Sequence, residues 1–153
     1  MVRQCEACTE HAPSQPPEPL IQEPLPSRAF ESVSTDLFHL AGYEWLVTSD
    51  RYSGWPFVGK CGRSANSAEV IRQLKDWMTL TGIPAKLSSD RGPQFSSRAF
   101  REFCEDWGIE HVLSSPHYPQ ANGAAEAAVK TVKALLAKIT NKGATNSDDF
   151  RLV

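Results

Sequence analysis

The sequence predicts an α/β domain, a five-stranded mixed sheet flanked by helices. Three observations carry that reading. Apolar and polar residues alternate with period two between Glu31 and Leu40, and from Asn66 the period changes to 3.6. Beyond that point helical runs alternate with short apolar strands. The order is βββ-α-β-α-β-α, antiparallel where tight turns join strands and parallel where helices separate them.

Each element has its own signal. Glu31–Leu40 sets Val33, Thr35, Leu37 and His39 on one face and Ser34, Asp36 and Phe38 on the other. Gly42 breaks the run, and Trp45–Ser49 reads as a second strand. Residues Asp50 to Gly54 are turn chemistry, followed by a third strand at Trp55–Lys60. Asn66 with Glu69 outlines a capping box for a helix with Val70, Ile71, Leu74, Trp77 and Met78 inward, and Gly82 and Pro84 stop it. Ala85–Ser89 is a short strand that ends in the turn Asp90-Arg91-Gly92-Pro93. A second helix from about Ser97 buries Ala99, Phe100, Phe103, Cys104 and Trp107 and ends at Gly108. Ile109–Leu113 is the fifth strand. The turn-rich stretch Ser114–Gly123 leads into a long helix near Asn122–Lys142, with Val129, Val132, Leu136 and Ile139 inward.

Composition narrows the function. The chain has 153 residues, 41% hydrophobic and 22% charged, with 16 Lys+Arg against 18 Asp+Glu. That length buries a real core, and the near-neutral charge excludes a module that coats nucleic acid by charge alone. Any role with nucleic acid then rests on local patches or on metal ions. No apolar run is long enough to span a bilayer, and the first residues carry no apolar signal-peptide core. Four scattered cysteines suit a reducing, intracellular compartment. Cys5 and Cys8 form a C-x-x-C pair, read either as two free thiols or as the end of a zinc module whose first ligands lie upstream. Residues 13–26 hold six of the eleven prolines, an extended linker. The expected organisation is a zinc-module remnant at 1–12, a Pro-rich linker at 13–29, a core at 30–142 and a tail at 143–153.

Three acids occupy unusual settings. Asp36 lies mid-strand, where Asp is depleted. Asp90 lies at a strand end before a sharp turn, and Glu126 one turn into the last helix. Each has a structural alternative: an edge-strand charge, a turn former, and a helix N-terminal acid favoured by the macrodipole. Brought together, three carboxylates are the oxygen donors a hard divalent cation needs.

The strings Ser89-Asp-Arg-Gly-Pro-Gln-Phe95 and Ser115-Pro-His-Tyr-Pro-Gln-Ala-Asn-Gly-Ala-Ala-Glu126 resemble the catalytic core of retroviral and gypsy-type retrotransposon integrases. Thirty-five residues (91–125) separate Asp90 from Glu126, the spacing of that family's Asp-Asp-35-Glu signature. Its first Asp maps to Asp36 in Ser34-Thr-Asp-Leu37, with a family-like Asp50-Arg-Tyr-Ser-Gly-Trp55 beyond. The resemblance covers about residues 30–140, and Cys5 and Cys8 resemble the last two ligands of the family's His-His-Cys-Cys zinc domain. It implies an RNase H-like fold and a DNA integrase. Asp36, Asp90 and Glu126 are then the catalytic residues and hold two Mg²⁺ or Mn²⁺ ions for 3′-end processing and strand transfer. Zn²⁺ enters only with an upstream module.

Lys130 and Lys133 share the helix stripe of Glu126, and no acid lies between Ala127 and Ser147. The resemblance assigns these two lysines to DNA contacts, with Lys138 and Lys142 left as a solvated basic face. Tyr118, Gln120 and Asn122 lie in the segment that resembles the family's active-site loop, and read equally as turn chemistry or as DNA-positioning groups. His39 and His117 read as structural neighbours of the carboxylates. The four tryptophans read as core or dimer surface. The expected partners are DNA and a second copy of the chain, with no membrane, and the expected site of action is the nucleus. A host-domesticated, non-catalytic DNA- or protein-binding domain is the alternative, and a hydrolytic nuclease of the same fold a third reading.

Overall fold

A computed structural model of the chain describes residues 25–114, 127–132 and 134–135. Its sheet has five strands in the order β3-β2-β1-β4-β5. β1 (Ser32–Leu40) and β2 (Tyr43–Asp50) pair antiparallel without a break, from Val33 opposite Asp50 to Leu40 opposite Tyr43. Two residues join them, Ala41 at φ 52° and Gly42 at φ 79°. Both central positions lie in the left-handed region, the hairpin turn whose twist matches that of the flanking strands. β3 (Pro56–Gly62) pairs antiparallel with the far side of β2 and forms one edge, where Pro56 is tolerated at the strand start.

α1 (Ser67–Thr81) then carries the chain back across the sheet, so that β4 (Lys86–Ser89) lands beside β1 and parallel to it. The Asn66 side chain caps α1 by accepting from the Glu69 amide at 2.9 Å. Only this half of the expected capping box forms, because the Glu69 carboxylate turns to Arg72 and Gln73 instead. Gly82, at φ 84°, ends the helix by donating to the Met78 carbonyl. α2 (Pro93–Ser96) is a single turn, where the sequence predicts a turn at Asp90–Pro93 and no helix before about Ser97. Its Phe95 is buried against Phe100, which is why four residues suffice. α3 (Arg98–Asp106) starts at Ser97, as expected, with the Ser97 hydroxyl accepting from the Phe100 amide. β5 (Glu110–Leu113) closes the other edge, parallel to β4.

The sheet is buried on both faces. On one, Val33, Leu46 and Leu87 meet Val70, Leu74, Trp77 and Met78 of α1 and Phe100, Phe103 and Cys104 of α3. On the other, Phe38 and Val47 meet Ala128, Val129 and Val132 of the helical residues 127–132. The alternation read along β1 is the reason: Val33 and Leu37 supply the first face, Phe38 the second. Among the tryptophans, Trp77 is core and Trp55 is exposed. Among the described residues no helix is long and apolar enough to cross a membrane.

Asp50, at the end of β2, is fully buried. Its carboxylate accepts from the Phe30, Tyr52 and Ser53 amides and the Ser53 hydroxyl, at 2.7–3.2 Å. It therefore closes the β2–β3 turn and ties the segment before β1 to the sheet, while the Phe30 ring packs on Phe57 and Trp77. Asp50→Ala leaves those donors in a dry site. It is expected to lower the unfolding free energy by about 3 kcal/mol, read from urea denaturation; a loss under about 1 kcal/mol contradicts this role.

Candidate active site

The edge-strand reading of Asp36 is excluded, because β1 is the third of five strands. Its parallel register with β4 sets Ser32 opposite Lys86, Val33 opposite Leu87, and Ser34 opposite Ser88. The Ser34 and Ser88 hydroxyls hydrogen bond at 3.0 Å, so both side chains point to the same face of the sheet. Two residues beyond that last pair come Asp36, on the Ser34 face of β1, and Asp90, the first residue past the end of β4. Adjacent strands lie about 4.8 Å apart. Segments 54 residues apart in sequence are thus paired at Ser34 and Ser88, each two residues before one of the two aspartates.

Each is oriented locally. Asp36 is half-buried, opposite the fully buried Val47 on β2, and its Oδ1 accepts from the Leu37 amide at 2.8 Å. Asp90 is exposed, and its Oδ1 accepts from the Gly92 amide at 2.9 Å. A Cβ at Gly92 would sit 2.9 Å from Asp90 Oδ1, so a larger residue there would displace that carboxylate. Phe38, two residues beyond Asp36, is covered by Ala128, Val129 and Val132. The helical residues that follow Glu126 in sequence therefore pack on the face that carries Asp36. Lys130, in the same segment, is exposed.

The donor set is oxygen only, which suits a hard divalent cation rather than zinc. His39 takes no part. It lies on the opposite face of β1, and its Nδ1 is 3.3 Å from Glu44 Oε1. Among the described residues no group of three or more His, Cys, Asp or Glu side chains is gathered at one point. Glu126, the third predicted acid, lies outside the described residues, as do Tyr118, Gln120, Asn122, Lys133, His117, Cys5, Cys8 and most of the linker and tail.

Beneath Asp90 is a pair of residues that the sequence reading did not single out. Ser89 is fully buried; its hydroxyl donates to the Asp90 carbonyl at 2.9 Å and lies 2.9 Å from His111 Nε2 on β5. The Ser114 amide and hydroxyl both donate to the Ser89 carbonyl, at 2.8 and 3.0 Å. The fully buried Phe100 ring meets His111 edge-on, with centroids 5.0 Å apart. The one sequence signal for His111 is its inward position two residues after Ile109, which singles out a packed histidine but not its contact.

A cavity of about 430 Å³ opens elsewhere, at the β3 edge, between Phe57 and Val58, Trp77 and Leu80 of α1, and Val132 and Leu135. It is apolar apart from a few groups such as Asp76 and Gln73, and it does not contain the carboxylate pair.

The family model described as integrase core domain matches residues 26–119, a span that holds Asp36 and Asp90 and ends before Glu126. The chain belongs to the integrase core domain family. This integrase core is 35% identical over 147 residues to an uncharacterized protein of Caenorhabditis elegans, an alignment covering 95% of the chain and 12% of that relative's length. The chain thus spans about an eighth of that relative. Among solved structures it is similar to the simian T-cell lymphotropic virus intasome, there in complex with a PP2A regulatory subunit. That match has a TM-score of 0.80 and 25% identity, over 95% of this chain and 54% of the other. It is also similar to the HTLV-2 integrase catalytic core domain in complex with magnesium, in its dimeric form, with a TM-score of 0.67 and 25% identity over 80% and 81% of the two chains. The fold of this integrase core is thus the RNase H-like one of retroviral catalytic cores, and the family is one of divalent-metal-dependent polynucleotidyl transferases.

Burial lowers the His111 pKa below its ordinary 6.5. The unfolded chain then binds more protons than the folded one at and below that value, so stability is held above it and lost as pH falls through it. Thermal unfolding between about pH 7.5 and about pH 5.5 is expected to decline more shallowly for His111→Gln than for the parent chain. Equal slopes contradict it.

Proposed function

We propose that this integrase core carries out divalent-metal-dependent 3′-end processing of an element's DNA and strand transfer into target DNA. Asp36, Asp90 and Glu126 are its metal-binding carboxylates. The observation that carries the reading is the β1–β4 register, which pairs Ser34 with Ser88, each two residues before one of the two aspartates. The helical residues after Glu126 support it by packing on the Asp36 face.

The chemistry follows from the donors. Two Mg²⁺ or Mn²⁺ ions, when bound, activate the attacking oxygen and stabilise the leaving one in an in-line displacement. The Leu37 and Gly92 amides fix one oxygen each of Asp36 and Asp90, so that the carboxylates are aimed before DNA arrives. Asp36 on a central strand is rigid, while Asp90 at a strand end is open to a phosphodiester. Lys130, exposed on the adjoining helix, and Lys133 supply phosphate contacts that make binding salt-dependent. Tyr118, Gln120 and Asn122 position the DNA end. The enzyme acts in the nucleus, where target DNA is.

Strand transfer exchanges one phosphodiester for another, so it runs in reverse on a branched DNA that mimics the joined product. The 153-residue chain with Mn²⁺ is expected to resolve such a DNA, and Asp36→Asn, Asp90→Asn and Glu126→Gln to reduce resolution to background while leaving thermal unfolding in place. Hydrolysis without rejoining, or activity that ignores EDTA, contradicts the reading.

The apolar cavity at the β3 edge, flanked by the exposed Leu80 and Leu135, supports pairing with a second copy of the chain. Sedimentation is expected to show a dimer that Leu80→Glu converts to monomer. A parent chain that sediments as a monomer at tens of micromolar, roughly the range in which weak contacts of this size form, removes the pairing.

A further inference from the structure

We infer that His111 is a positioning residue for Asp90, acting through the Ser89 hydroxyl. The inference rests on the reading of Asp90 as a metal-binding carboxylate, and its geometry stands independently of that reading. A carbonyl oxygen cannot donate, so the contact between Ser89 Oγ and the Asp90 carbonyl takes the single hydroxyl proton of Ser89. The contact of the same oxygen with His111 Nε2 at 2.9 Å must then run the other way, with the ring N–H donating. The chain of donors is His111 Nε2–H to Ser89 Oγ–H to the Asp90 carbonyl. Nε2 carries a proton in this tautomer and in the imidazolium alike, so the direction does not depend on the charge of the ring.

This relay acts on the main chain of Asp90 just past the last paired residue of β4. β4 ends at Ser89, and the last parallel pair is Ser89 with Leu113. Asp90 is therefore past the ladder. The Ser89 hydroxyl restrains its carbonyl and the Gly92 amide restrains its Oδ1, so both ends of the residue are held. His111 is itself held. It sits opposite Leu87 in the β4–β5 register, and the edge-on Phe100 sets its ring plane. The rigid β5 strand thus aims an acid that lies on another strand's end. Such outer partners of metal-binding groups typically change metal affinity or activity by about 10–100-fold when removed.

The test uses the 153-residue chain. In the ¹⁵N-labelled protein at neutral pH, the imidazole of His111 is expected to show the Nε2–H tautomer; an Nδ1–H tautomer overturns the inference whatever the enzyme does. His111→Ala is expected to weaken Mn²⁺ binding, or to slow resolution of branched DNA at saturating DNA, by about 10–100-fold with little change in the KM for DNA. His111→Gln, whose amide N–H reaches near the Nε2 position, is expected to restore most of that loss, whereas a merely packed histidine gives no such rescue. Ser89→Ala keeps His111 and breaks the relay, and is expected to match His111→Ala, with the double variant no worse than either single one. Gln failing where Ala fails, or both variants behaving as the parent chain while Asp90→Asn abolishes Mn²⁺ binding, overturns the positioning role alone. Mn²⁺ binding that survives Asp90→Asn overturns the functional reading and the positioning role together.

Discussion

Three residue pairs between β1 and β4 hold the two halves of this integrase core in one sheet. On one side of that seam lies the antiparallel meander β1 to β3, on the other the parallel pair β4 and β5. The seam is short, and its register has little tolerance. Val33 and Leu87, opposite each other, are both fully buried under α1 and α3, while Ser34 and Ser88 meet on the other face. A slip of β4 by one residue would turn Leu87 away from the helices and face Ser88 into them. The last paired residues before Asp36 and Asp90 are therefore held by the hydrophobic packing of their neighbours Val33 and Leu87.

Two aspartates at the sheet show what burial does with a carboxylate. Asp50 is completely enclosed, and four donors from its own turn and from Phe30 surround it. Its place is structural, because its oxygens are engaged by the chain itself. Asp36 is only half-buried, in the central strand, and lies next to the opening left where β4 stops. A charge in such a place is unfavourable unless opposite charge or donors meet it. One such donor is the Leu37 amide, which meets Asp36 Oδ1 at 2.8 Å.

Much of the architecture is legible in particular residues. The period of two in β1 named both of its faces, and the caps Asn66, Ser97 and Gly82 lie where local hydrogen bonding requires them. Asp36 and Asp90 stood out from their local settings before any contact was known. Other features were hidden. The turn Pro93–Ser96 becomes helical because Phe95 finds a pocket beside Phe100. Glu69 leaves its capping partner because Arg72 and Gln73, one turn away, compete for it. The contact of His111 with Ser89 joins residues on different strands, and neither has a local signature that betrays it.

The sequence by itself determined the elements, their order and the two acids worth following, because periodicity, capping and turn chemistry act over a few neighbouring residues. Only the tertiary structure decided that β1 lies at the centre, that its faces are both covered, and that Ser34 pairs with Ser88. The physical reason is the crossover. α1 packs back over the sheet and delivers β4 to the free side of β1, so a parallel ladder forms between segments 54 residues apart. That ladder depends on core packing and interstrand hydrogen bonds, which no local stretch of sequence contains.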